Sequence, residues 1–118
     1  MLKSLITTKQ QAALRALGLP TQRRPTPPGV FLRQMLDEYQ ISITDFAEHI
    51  GVSRVRLSEI VHNKRNITPD TARRIAAGFG MSPQFWLNCQ HTLNMWDAIV
   101  ADNSGEVSAI RPLVPVAA

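Results

Sequence analysis

ISITDFAEHIGVSRVRLSEIVHN, residues 41–63, contains two short helical patterns joined by a turn of two residues. Ser42 can cap the N-terminus of the first helix, and Gly51 can end that helix in the left-handed conformation. The apolar residues of the first helix follow the i, i+3, i+4, i+7 spacing; they are Ile43, Phe46, Ala47 and Ile50. Ser53 can cap the second helix directly after the turn. Because so short a turn makes the two helices cross steeply, this segment predicts a helix-turn-helix.

Three further helices are predicted around this motif. The first starts at Pro28, because proline is favoured in a first helical turn, and runs to about Gln40. The residues that we expect it to bury are Phe31, Leu32, Met35, Leu36 and Tyr39. Thr68-Pro69 begins another helix, which Gly80 ends, and Ser82-Pro83 begins the last, which runs to about Ala101. The sequence therefore predicts an all-α domain of five helices over residues 25–101.

The two ends of the chain have different patterns. Residues 1–24 form a predicted N-terminal extension and linker, with a short extra helix from an N-cap at Thr8 to about Leu17. Residues 102–118 form a C-terminal tail with a strand-like pattern. Pro112 and Pro115 would confine such a strand to the edge of a sheet, because proline lacks an N–H.

Composition and charge narrow the class of protein. The 118 residues, of which 44% are hydrophobic and 19% charged, suit one globular domain. No apolar run reaches the roughly eighteen residues of a membrane-spanning helix. The apolar stretch at residues 1–6 is too short for a signal peptide. With a single cysteine, Cys89, an internal disulfide is impossible, which fits a reducing compartment. We therefore expect a cytoplasmic protein.

Positive charge is concentrated in the middle of the chain. The formal net charge is +4, and residues 23–74 hold nine basic against six acidic residues. From Ile75 onward there are three acidic residues and one basic residue, Arg111. This asymmetry indicates one nucleic-acid-binding face and a second, different surface.

The second helix of the motif is predicted to read DNA. The N-terminal residues of a recognition helix reach base edges in the major groove. Arg54 and Arg56 can each form a bidentate contact with guanine, and Val55 can cover a thymine methyl group. Residues 62–66 form a basic loop suited to phosphates. The full set of predicted DNA contacts is Thr44, Ser53, Arg54, Val55, Arg56, Ser58, Glu59, His62, Lys64 and Arg65. The alternative is that these charges decorate a solvated helix.

The last helix admits two interpretations. Its heptad-like stripe suits dimer packing, with Leu93, Trp96 and Val100 as candidate dimerisation residues, or a monomer in which this helix is buried. A dimer is favoured because one helix-turn-helix buries too little surface to be specific alone. Phe85 and Trp86 are either core residues, which we favour, or interface anchors.

Enzymatic activity is not expected. Cys89 and His91 are two residues apart on a helix and point in different directions. His49 and His62 lie on separate helices without metal-ligand spacing around them. We therefore expect no catalytic residue, no metal and no cofactor.

Residues 41–63 resemble the λ-repressor-like helix-turn-helix superfamily. Residues 25–96 resemble, more narrowly, the HigA family of antitoxins. The matching segments are PTPPG at 25–29, GVSR at 51–54, ITP at 67–69 and SPQFWLN at 82–88, together with Leu57-Ser58, Ala72-x-Arg-x-Ala76, Gln90 and Trp96. The chain departs from the family at Ile43, where glutamine is usual, at Asn63, where glycine is preferred, and at Cys89, where leucine is usual.

The resemblance implies a homodimer with two activities. It would bind double-stranded operator DNA and repress its own operon, and it would neutralise a RelE/HigB-like mRNA endonuclease toxin. The toxin could contact the N-terminal helix, the last helix or the tail. The alternatives are a stand-alone, phage-type transcriptional repressor without a toxin partner, and an interaction protein that no longer binds DNA.

Overall fold

We describe residues 6–102 and 104–116 of the chain from a computed structural model. Six helices occur within these residues: α1 Thr8–Ala16, α2 Pro28–Glu38, α3 Ile43–Ile50, α4 Arg54–Val61, α5 Pro69–Phe79 and α6 Gln84–Ala101. No strand occurs among the described residues, and α2–α6 are the five predicted helices, so the all-α prediction is confirmed. None of these described helices combines the length and apolar character that crossing a bilayer requires.

The chain forms two compact units. The helix-turn-helix unit comprises residues 25–94. The terminal unit comprises the described residues of segments 1–24 and 95–118. Helix α6 contributes residues 84–94 to the first unit and 95–101 to the second.

The caps of α3 and α4 explain where these helices begin and end. Ser42 Oγ accepts a hydrogen bond from the Asp45 N–H at 3.0 Å, and Ser53 Oγ accepts one from the Arg56 N–H at 3.1 Å. Each bond satisfies an N–H that has no partner inside its helix. Gly51 ends α3 with φ of 73°, a conformation that a side chain disfavours. The predicted caps of the motif are therefore confirmed.

One core stabilises the helix-turn-helix unit. Its fully buried side chains come from all five helices and include Leu32, Ala47, Leu57, Ile75 and Trp86. Phe79 stacks on Phe46 with ring centroids 4.5 Å apart and on Trp86 at 6.4 Å. Because burying one large apolar side chain contributes about 1.5–3 kcal/mol, this core is the main force that holds α4 against α3.

Two glycines allow helices to approach closely. A Cβ on Gly29, in the first turn of α2, would collide with the backbone carbonyl of Ile60 near the end of α4. A Cβ on Gly78 of α5 would lie 2.8 Å from side-chain atoms of Phe46 and Ile50 on α3. The absence of a side chain at these two positions therefore sets how close α2 and α5 come to the motif.

Two predicted core residues lie further out than expected. Tyr39 is 60% exposed, because α2 ends at Glu38 and Tyr39 is its C-cap. Phe85 is 40% exposed, although its ring meets Phe31 edge-on at 5.4 Å. Both residues cover the rim of the core rather than filling it. Trp86 is fully buried, so its prediction as a core residue is confirmed.

Long-range contacts hold the terminal unit together. Leu14 and Trp96 are buried in one apolar cluster with Ile6. The indole N–H of Trp96 donates to the carbonyl of Pro20 at 2.9 Å, and the side-chain amide of Gln10 donates to the carbonyl of Val100 at 2.8 Å. Helix α1 is capped by Thr7 rather than by the predicted Thr8, a difference of one residue. Trp96 is thus a core residue of this unit.

Among the described residues of the tail, the possible edge strand is not present. Residues 104–116 form turns and irregular chain instead. The N–H of Ala109 donates to the carbonyl of Gly105 at 3.0 Å, and the N–H of Ile110 donates to that of Val107 at 3.1 Å. These local bonds occupy backbone groups that a strand would pair with a neighbour, and Gly105 at φ of 74° supplies the turn.

Candidate nucleic-acid interface

The turn between α3 and α4 gives the motif its geometry. The N–H of Val52 donates to the carbonyl of Ala47 at 3.0 Å, which closes the turn after the left-handed Gly51. Val52, Leu57 and Ile60 are buried. Because these inward positions are fixed, the opposite side of α4 faces outward.

Most of the predicted DNA contacts at the start of α4 are exposed. Ser53, Arg54, Val55 and Arg56 are exposed, whereas Ser58 and Glu59 are half-buried. Val55 is 67% exposed although it is apolar. An exposed valine between two arginines can cover a thymine methyl group while the guanidinium groups bind guanine.

Arg54 has a partner in the neighbouring helix. Its Nε donates to Thr44 Oγ1 at 2.9 Å. Thr44 is exposed near the start of α3, so this bond links the exposed ends of the two helices of the motif. Within residues 6–102 and 104–116, the side chain of Arg56 makes no hydrogen bond.

The loop after α4 is exposed and basic. Asn63 has φ of 62°, as predicted for the residue that reverses the chain after the helix. His62 Nδ1 lies 2.7 Å from the carbonyl oxygen of Ser58, which fits donation by the ring N–H. Arg65 Nη2 donates to Glu59 Oε1 at 3.1 Å, and Lys64 is exposed without a side-chain partner among the described residues. Glu59 thus contacts an arginine of the loop, while Lys64 is available for a phosphate.

Arg74 of α5 also contacts the motif, although sequence reasoning did not select it. Its Nη1 donates to the carbonyl of Ile50 at 3.0 Å, and its Nε donates to Asp70 Oδ2 at 2.9 Å. A helix C-terminus carries unpaired carbonyls and partial negative charge, which a guanidinium stabilises. The i,i+4 spacing of Asp70 and Arg74 was the only signal, and it does not reveal a bond to α3.

Comparison with known proteins identifies the family. Residues 32–86 match the helix-turn-helix domain family. The chain is 37% identical to antitoxin HigA-1 of Vibrio cholerae over 78 residues, which are 65% of this chain and 73% of the relative. The chain belongs to the HigA family of helix-turn-helix antitoxins.

Solved structures of HigA-family proteins share this fold. Antitoxin HigA of Pseudomonas aeruginosa, solved with the higBA promoter, has a TM-score of 0.70 at 35% identity and covers 77% of this chain and 100% of its own. A HigA-family addiction module antidote protein of Coxiella burnetii has a TM-score of 0.69 at 32% identity, over 76% of this chain and 99% of its own. About a quarter of this chain therefore has no counterpart in either structure.

Two motif residues of the HigA resemblance have structural partners. Gln90 is buried, and its Oε1 accepts a hydrogen bond from the Ile67 N–H at 2.8 Å. Its Nε2 donates to Asn94 Oδ1 at 2.9 Å. The bond from Ile67 to Gln90 ties the segment before α5 to α6. Trp96 has its partner in the carbonyl of Pro20. Both residues are buried, and each holds separate segments of its unit together.

The three candidate dimerisation residues of α6 differ in accessibility. Leu93 and Trp96 are buried within the protomer, and Val100 is half-buried. A partner subunit can reach Val100 without rearrangement of the protomer. The involvement of this stripe in a dimer stays a prediction.

Among the described residues, no three His, Cys, Asp or Glu side chains lie close enough together to hold a metal ion. Burial raises the pKa of the Cys89 thiol, which lowers the fraction of reactive thiolate.

Proposed function

We propose that this chain is the antitoxin of a toxin–antitoxin module that binds operator DNA through α4. The observation that carries the proposal is the exposure of Arg54, Val55 and Arg56 at the start of a helix whose inward side is buried. The structure of P. aeruginosa HigA with the higBA promoter supports a DNA-binding role for a protein of this fold. The proposal assigns the chain no catalytic role of its own, and it places the chain in the cytoplasm.

Two kinds of contact carry DNA binding. Arg54, Val55 and Arg56 read base edges in the major groove, and one bidentate arginine–guanine pair provides about 1–3 kcal/mol of discrimination. Lys64 and Ser53 bind phosphates, which position the helix without reading the sequence. Arg65 adds charge to this loop while it remains next to Glu59.

A homodimer fits this mode of binding. Two copies of α4 would read half-sites about one helical turn apart on a palindromic operator, and the two half-sites together supply specificity that one motif lacks. We propose that repression follows when this dimer occupies the promoter of its own operon.

Toxin neutralisation is the second proposed activity. The HigA family name and the similarity to V. cholerae HigA-1 support it. The partner would be a RelE/HigB-like mRNA endonuclease encoded by an adjacent reading frame. A stand-alone repressor is the competing function, and it lacks such a partner.

Two experiments separate these functions. In footprinting on the upstream DNA, the wild-type chain should protect a palindromic site, and the double variant Arg54→Ala, Arg56→Ala should lose that protection. Equal protection by the double variant would show that α4 is not the recognition helix.

In a growth assay, expression of the adjacent frame should arrest the host, and the double variant should relieve the arrest as well as wild type does. Absence of toxicity from either neighbouring frame would favour the stand-alone repressor.

A further inference from the structure

Thr44 contacts the first residue of the recognition helix. It is the second residue of α3, and its hydroxyl accepts the 2.9 Å hydrogen bond from Arg54 Nε. The backbones on both sides of this bond are anchored, because Phe46 and Leu57 are buried in the same core. The hydroxyl is therefore held at a defined place beside α4.

The bond selects one edge of the Arg54 guanidinium. An arginine has five N–H donors, one on Nε and four on Nη1 and Nη2. A bidentate contact with guanine O6 and N7 needs two parallel N–H groups. Because Nε–H is bonded to Thr44, the fork that remains is the end-on pair formed by Nη1 and Nη2. The hydroxyl of Thr44 thus sets which edge of Arg54 is presented to DNA.

Arg56 provides a contrast within the same helix. It is exposed like Arg54, but among the described residues its side chain has no hydrogen-bond partner. Ordering a free arginine side chain on binding costs conformational entropy. Arg54 is already restricted by Thr44, so the two arginines are not equivalent base readers.

We propose that Thr44 is a positioning residue for base recognition, which holds Arg54 so that its Nη1/Nη2 edge reads one guanine in each half-site. This proposal rests on the proposed DNA-binding function. If the Thr44 hydroxyl only contacted a phosphate, its removal would instead weaken binding to all sequences alike. If Thr44 positions Arg54, removal of the hydroxyl changes the base preference at a single position of each half-site.

The test compares base preferences among full-length variants. A randomised DNA duplex library is incubated with five proteins: wild type, Thr44→Val, Thr44→Ser, Arg54→Ala and Arg56→Ala. The affinity of each protein is then measured for the selected operator and for its single-base variants. Thr44→Val keeps the side-chain shape and removes the hydroxyl. It should lower discrimination about three- to tenfold at the position that Arg54→Ala affects, which corresponds to loss of one hydrogen bond. The position that Arg56→Ala affects should not change. Thr44→Ser, which retains the hydroxyl, should behave as wild type.

Two results would overturn the positioning role. In the first, Thr44→Val lowers the affinity for every operator variant by the same factor and leaves the base preferences unchanged. In the second, Thr44→Val causes an equal loss of discrimination at the Arg54 and Arg56 positions. Thermal unfolding of each variant must match wild type, which separates positioning from loss of fold.

A measurement without DNA keeps this proposal separable from the proposed function. If wild type selects no sequence from the library, DNA recognition itself fails. The Arg54 Nε–H resonance in ¹H–¹⁵N spectra of the free protein then still tests whether Arg54 is hydrogen-bonded to Thr44. Its exchange with solvent should be slow in wild type and Thr44→Ser and faster in Thr44→Val. Equal exchange in all three proteins would show that Thr44 does not hold Arg54.

Discussion

The helix-turn-helix unit and the terminal unit depend on contacts of very different range. Residues 25–94 form one continuous segment, and its caps lie within a few residues of the groups that they bond. The terminal unit joins both ends of the chain: Gln10 bonds Val100, 90 residues away, and Trp96 bonds Pro20, 76 residues away. Its contacts must offset the entropy of closing a long loop. We therefore expect the terminal unit to open at a lower free energy than the helix-turn-helix unit.

Removal of Trp86 is expected to have the largest effect. Its side chain is fully buried in the core of the helix-turn-helix unit and stacks on Phe79. Trp86→Ala should lower the free energy of unfolding by about 3–5 kcal/mol, because it removes a large apolar side chain and leaves a cavity. Chemical denaturation followed by circular dichroism measures this loss. Phe85→Ala is the matched control. Phe85 is 40% exposed, so truncation of its side chain should lower the free energy of unfolding clearly less than Trp86→Ala does. Equal losses from both variants would contradict the assigned core.

The terminal unit should respond separately to Leu14→Ala. Leu14 is fully buried in the cluster with Ile6 and Trp96, and its truncation should cost about 2–5 kcal/mol. Hydrogen exchange should show this loss in α1 and leave the protection of α3 and α4 unchanged. Leu17→Ala is the control, because Leu17 is 56% exposed. If Leu14→Ala also lowers the protection of α3 and α4, the two units are not energetically independent.

Arg74→Ala tests the contact that supports the turn of the motif. It removes the bond to the Ile50 carbonyl and the ion pair with Asp70. Because the ion pair is exposed to solvent, we expect a loss of about 1 kcal/mol in unfolding free energy. Arg73→Ala is the control, since Arg73 is exposed and has no side-chain bond among the described residues. A variant Arg74→Ala as stable as Arg73→Ala would show that α5 does not stabilise the end of α3.

The smallest predicted effect concerns a single charge in the loop after α4. Lys64→Ala should weaken binding to all DNA sequences alike and make the negative slope of log affinity against log salt less steep by about 0.9. Titrations of the operator and of unrelated DNA at several salt concentrations measure this slope. Lys9→Ala removes another exposed charge, from the terminal unit, and should leave the slope unchanged. The same change in slope from both lysines would place DNA on both units.

The predictions that held are those with a local physical cause. Ser42, Ser53 and Thr68 cap helices because each side chain bonds an N–H only three residues later. Gly51 and Asn63 end or follow helices because they adopt positive φ. The outward face of α4 followed from the buried face of the same helix.

The predictions that failed depended on what lies beyond the local pattern. Tyr39 fits the apolar stripe of α2, but the helix ends before it and leaves the ring exposed. The tail alternates like a strand, but no partner strand exists among the described residues, and turns take its backbone bonds instead.

The sequence by itself determined the five helices α2–α6, their caps and the exposed residues of α4. These features depend on side-chain volume, backbone conformation and helical period, all of which act within a few residues. Only the tertiary structure revealed that Thr44 holds Arg54, that Arg74 bonds the end of α3, and that Trp96 belongs to a core with α1. Contacts between separate elements depend on how the helices pack, and helical periodicity alone does not specify which side chains then meet.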